Sequence, residues 1–158
     1  MSFTSSGNVK NLIEAGANIN SADNSGKTPL IIATEFGNID IIKTLIAKGA
    51  NVNQANNDGL TPLLIAAHNP ELVKLFIEAH ADVNKVDNWG NTALILSIDN
   101  DPIRFPQMEK DNLNIIKDLI SAGADINKVA KDGRTALSRA KEFDHTKVVK
   151  FLIESGAR

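Results

Sequence analysis

Four stretches of the chain can be laid over one another, and that repetition constrains the fold more than any single residue does. "GKTPLIIATEFGNIDIIKTLIAKGANVN" (26–53) aligns with "GLTPLLIAAHNPELVKLFIEAHADVN" (59–84). Both align with "GNTALILSIDN…NLNIIKDLISAGADIN" (90–127) and "GRTALSRAKEFDHTKVVKFLIESGA" (133–157), and a half-unit, "GNVKNLIEAGANIN" (7–20), leads the series. The threonine opening each unit stands at 28, 61, 92 and 135, at intervals of 33, 31 and 43.

Each unit reads as two short antiparallel helices and a turn. Thr28, Thr61, Thr92 and Thr135 sit where an N-cap hydroxyl would accept an orphan helix N–H. Pro29 and Pro62 follow at the first helical position, where a missing N–H costs nothing. The second helix is expected to begin after Asn38, Asn69 or Asn112 and to close on Gly16, Gly49, Gly123 or Gly156, residues suited to left-handed backbone. Helices of about ten residues or fewer are too short to persist alone in water. They must stack, burying one continuous core along a solenoid. The turns "NSGK", "NDGL", "NWGN" and "KDGR" then project between units as a row of loops.

The near-33-residue interval, "G-x-TPL" in two units, "G-x-TAL" in two others and the recurring "GA[ND][IV]N" together resemble the ankyrin repeat, over roughly residues 7–157. The resemblance implies an all-α repeat solenoid of stacked helix pairs with short β-hairpin finger loops. It also implies a concave surface made of finger tips and first helices, with the second helices as the convex back. The expected division is an N-terminal half-repeat (7–22), repeats at 23–55, 56–86 and 87–129, and a C-terminal capping repeat (130–158). The third repeat carries an insertion at 99–112.

The pattern is broken in several places. The histidine of the family's "TPLH" is replaced by Ile31, Leu64, Ile95 and Ser138, which exchanges a polar tie for apolar packing. His80 stands where a glycine should end a helix, at an expected cost of about 1 kcal/mol. Unit two is two residues short between its helices. Arg139 and Lys141 replace apolar residues in the last unit, as a polar terminal face would require. The leading half-unit lacks a convincing first helix, so an alternative reading makes the chain a segment of a larger array, or a module that self-associates at that end.

Composition closes off other classes. There is no cysteine, hence no disulfide, thiolate metal site or cysteine nucleophile. The net charge of −2 gives no reason to expect nucleic acid or an anionic membrane. No apolar run approaches a membrane span and no signal peptide is visible, so the default expectation is a cytoplasmic monomer. Charge is uneven: residues 1–100 carry 6 Lys/Arg against 10 Asp/Glu, and residues 101–158 carry 11 against 9.

No catalytic, cofactor or metal site is expected. "SGKT" (25–28) resembles the end of a phosphate loop but has Ser21 where the first glycine belongs. "DND" (99–101) would begin a calcium loop, yet Arg104 and Lys110 occupy the glycine and glutamate positions. His68, His80 and His145 lie in different units without ligand spacing.

What remains is a non-catalytic scaffold whose partner is another protein. Trp89, the only tryptophan, occupies the tip of the third finger, where an indole is either an interface anchor or packed on a neighbouring finger. The other expected contact positions on the fingers are Lys27, Asn57, Asp58, Leu60, Asn88, Asn91, Lys131 and Arg134. At the ends of the first helices they are Glu35, Phe36 and His68.

Overall fold

The computed structural model describes residues 15–98 and 108–158, the side chains of 108–112 excepted. Most of the leading half-unit, read as lacking a first helix, and most of the 99–112 insertion lie outside the described residues. Among these there are eight helices and no strand. In chain order they are α1 (Pro29–Glu35), α2 (Ile39–Ala47), α3 (Pro62–Ile65), α4 (Pro70–Glu78), α5 (Ala93–Leu96), α6 (Met108–Ser121), α7 (Ala136–Glu142) and α8 (Thr146–Glu154).

Every unit starts as its threonine dictates. The hydroxyls of Thr28, Thr61, Thr92 and Thr135 each accept the N–H of the third helical residue, at 3.1–3.4 Å. Ile31, Leu64 and Ile95 are those third residues, and all three are buried in the core, so apolar packing does replace the polar tie. Ser138 holds the same position in the last unit and instead returns a bond to the Thr135 N–H at 2.8 Å, completing a capping box.

The second helices end alike. After α2, the Gly49 N–H bonds to Ile46 O and the Ala50 N–H to Leu45 O, with Gly49 at φ 89°. This double closure recurs after α4, α6 and α8. After α4 the left-handed residue is His80, at φ 61°, as its place in the repeat predicts. Asp144, at φ 56°, is a second such residue, in the α7–α8 turn where the first unit has Gly37.

Two expectations about helix length fail. α6 runs for 14 residues rather than about ten, and Asn112 lies inside it rather than capping it. The insertion does not simply loop out: its last residues continue the helix toward the N-terminus, starting at Met108.

Stacking follows the chain. First helices pile up as α1, α3, α5 and α7, while α4 packs on α6 and α6 on α8. Between the layers lies one core that includes Leu30, Leu63, Leu94, Phe76, Ile116 and Leu152. Full burial of each such side chain contributes roughly 1.5–3 kcal/mol.

The "GA[ND][IV]N" motif has its own geometry. Its last asparagine accepts a backbone N–H from the following unit: Asn20 Oδ1 from Asn51, Asn53 Oδ1 from Asp82, Asn84 Oδ1 from Asp125, and Asn127 Oδ1 from Arg158, all at 2.8–2.9 Å. Asn84 and Asn127 also donate Nδ2–H to the carbonyls of Gly123 and Gly156. Adjacent units are thus stitched at the same register from one end of the described stack to the other.

Candidate functional site

Each finger is a five-residue loop closed by two backbone bonds, the inner one from the turn glycine N–H (Gly26, Gly59, Gly90 or Gly133) to the carbonyl of the opening residue at 2.9–3.0 Å. Asp23, Asn56, Asp87 and Ala130 donate their N–H to the carbonyls of Lys27, Leu60, Asn91 and Arg134, at 2.8–3.1 Å. In the first three fingers the opening side chain fixes the loop from within. Oδ1 of Asp23 accepts the N–H of Ser25 and Lys27; Asn56 does so for Asp58 and Leu60; Asp87 does so for Trp89 and Asn91. The expected β-hairpins are therefore side-chain-braced turns, too short to form a ladder of strand pairs.

Neighbouring fingers are bonded to one another. The N–H groups of Asn57, Asn88 and Lys131 reach the carbonyls of Ser25, Asp58 and Trp89 at 2.9–3.0 Å. Asn57 Nδ2 and Asn88 Nδ2 donate to Asn24 O and Asn57 O. Two expected contact positions, Asn57 and Asn88, thus spend their side-chain amides bracing the preceding finger.

The turn glycines permit this close approach. A methyl group on Gly59, at φ 78°, would sit 2.9 Å from the Asn88 nitrogen, and Gly26 is tighter still against Asn57.

At the tip of the third finger, Trp89 leaves 57% of its surface open to solvent while its N–H and C=O are both engaged. A loop of this kind can carry an indole because nothing requires the ring to be buried. Asp58, Lys131 and Arg134 are likewise exposed, and Leu60 is half-buried against the core. Phe36 is 83% exposed just after α1. His68 is exposed after α3.

Asn91 departs from its expected role as a surface contact. It is 8% exposed, its Nδ2 donates to Asp87 Oδ2 at 3.0 Å, and its Oδ1 accepts from Arg139 Nη2 at 3.2 Å. Arg139 is equally buried and also lies 3.5 Å from Asp132 Oδ2. The expectation that Arg139 forms part of a polar terminal face is corrected accordingly: it points inward and ties the fourth unit to the third finger. Lys141 is exposed, as expected.

Charges on the inner side are matched within the chain. Lys27 pairs with Glu35 at 2.7 Å, which raises the lysine's pKa. Arg134 pairs with Glu142 at 3.2 Å in the equivalent place. Asp23 is held below the usual carboxylate range by the Ser25 hydroxyl and the Lys27 N–H.

Sequence reasoning missed one row. The fourth residue of each first helix is Ile32, Ile65, Leu96 or Arg139. Arg139 reaches the fingers at Asn91 and Asp132, and the repeat puts the other three at the equivalent place. Ile32 is 38% exposed, while Ile65 and Leu96 are half-buried. The signal was available: these residues follow directly on the aligned position that was read as buried. On the opposite side, a groove of about 430 Å³ lies between α2 and α4, floored by Ile46, Ala47, Leu75 and Ala79. No group of three His, Asp or Glu among the described residues could hold a metal ion, and no helix there is long and apolar enough to cross a membrane.

The family model for ankyrin repeats matches the chain in three copies, over residues 1–56, 48–105 and 107–158. The chain belongs to the ankyrin repeat family. No curated protein matches it. Ankyrin repeats are generally protein–protein interaction modules and typically non-catalytic scaffolds. In this ankyrin stack the finger row and the first helices line one side, and the second helices form the other.

Proposed function

We propose that this ankyrin-repeat chain is a non-catalytic scaffold that binds a partner protein through its finger tips and the adjoining face of its first helices. The observation that carries the reading is the bracing of the fingers. Their backbones are fixed by internal and inter-finger bonds, while Trp89, Asp58 and Lys131 remain exposed on them. Side chains presented on a backbone already ordered by folding lose little further entropy on binding. Tryptophan adds a large rigid contact surface of the kind that dominates interface energetics.

The test is a photo-crosslinking capture from source-cell lysate. A crosslinker is placed at Lys131, exposed on the finger next to Trp89, and another at Lys43 on the convex back. A product specific to the finger site, and lost with Trp89→Ala at unchanged helical circular dichroism, is the expected result. Crosslinks confined to position 43 would move the interface to the convex groove and sink the proposal.

A further inference from the structure

We infer that the face between the fingers and the first helices selects an uncharged, apolar polypeptide segment, held over the first three units; this rests on the binding face proposed above. The argument is one of charge complementarity. Three rows of side chains line that face: the finger-closing residues Lys27, Leu60, Asn91 and Arg134, the fourth helical residues Ile32, Ile65, Leu96 and Arg139, and Glu35 and Glu142 at the ends of the outer first helices. The acids and bases named in them are engaged within the chain. Lys27 pairs with Glu35 at the first unit, and Arg134 with Glu142 at the fourth. Arg139 turns into the Asn91–Asp132 contact.

The middle units break the pattern. Where the first and fourth units have Lys27 and Arg134, the second and third have Leu60 and Asn91, and Asn91 is buried and bonded. One turn into the helices, Ile32, Ile65 and Leu96 succeed one another along α1, α3 and α5, with Phe36 exposed beside the first. A strip of partly exposed aliphatic side chains is thus bounded at each end by a closed ion pair.

A charged segment laid along this strip would lose water and meet no free counter-charge, a penalty that an apolar one escapes. Burying the exposed parts of Ile32, Ile65 and Leu96 would in turn favour apolar side chains in proportion to the area covered. Asp58 and Lys131 are exposed on the fingers, outside those rows, with Asp58 near enough to Lys27 to act on its charge, and they can steer approach.

A phage-displayed library of random twelve-residue peptides, panned on the full chain, tests this. Selected peptides should be rich in aliphatic and aromatic residues with little net charge. Their affinity should fall at least roughly tenfold for Ile32→Asp, whose exposed site tolerates the change, and for Ile65→Asp if that variant keeps its helical circular dichroism. Charged peptides that are weakened by Trp89→Ala would overturn the apolar specificity while leaving the binding face intact. Apolar peptides indifferent to Ile32→Asp and to Trp89→Ala would overturn both. Failure to enrich any peptide would also count against the apolar strip.

Discussion

Asn84 Oδ1 accepts the Asp125 N–H at 2.8 Å while its Nδ2 donates to Gly123 O at 3.0 Å, so one side chain spans two units with both ends of its amide. Asn53, in the same place one unit earlier, accepts from Asp82. Asn84→Ala should cost about 1–2 kcal/mol from the loss of two partly exposed bonds, and lower the melting temperature by a few degrees. Asn84→Asp keeps the acceptor and loses the donor, and should fall between wild type and alanine. Thermal denaturation of the three proteins checks the order.

Gly59 and Gly133 provide a matched pair. Their φ values are 78° and 82°, so alanine at either meets the same left-handed penalty of roughly 1–2 kcal/mol. A Cβ at 59 would also sit 2.9 Å from Asn88 N, whereas one at 133 has nothing within 4 Å. Gly59→Ala should therefore be the more destabilising by roughly another 1–3 kcal/mol. Equal losses in denaturant titrations would mean that neighbouring fingers can separate without cost.

His80 and Asp144 are the two non-glycine residues with positive φ among those described. His80→Gly relieves the strain of a side chain at φ 61° and should stabilise the protein by about 1 kcal/mol. Asp144→Gly should gain less, because the short carboxylate of aspartate can hydrogen-bond locally in this region, which the longer imidazole does less readily. A lower melting temperature for His80→Gly would show that the imidazole makes a contact worth more than the strain.

Acid should loosen the first finger before the second. Asp23 has a folded-state pKa below its ordinary value, so its contribution is complete above the normal carboxylate pKa. That contribution is lost as pH falls through the lowered value. Asn56 holds the second finger by the same two backbone bonds and does not titrate. Protection of the Ser25 and Lys27 amides, measured against their intrinsic exchange rates, should fall with acid while that of Asp58 and Leu60 stays constant. Asp23→Asn should remove the difference.

The helical stack was legible because its signals are local and repeated. Thr28, Thr61, Thr92 and Thr135 cap as read, and the glycines that close the second helices, together with His80, adopt the backbone that their position requires. Asn112 misled because a good N-cap residue is also tolerated inside a helix, and nothing local says that the helix already began at Met108. The fates of Asn91 and Arg139 were hidden for a different reason. They are 48 positions apart and belong to different units, so their contact has no trace in either unit's own pattern. Asp23, Asn56 and Asp87 could have been found, since an acid or amide two residues before a turn is a loop brace by simple chemistry.

The Asn91–Arg139 contact has a consequence for how changes in this chain would be inherited. Trp89 sits on a loop whose closing residue is held from below by an arginine in the next unit. A substitution at 139 would shift the indole without touching whatever it meets, and a screen for binding would score it as a change at the third finger. Selection on that finger therefore acts on two repeats at once, and duplicating or exchanging either of them alone would disturb the loop that carries Trp89.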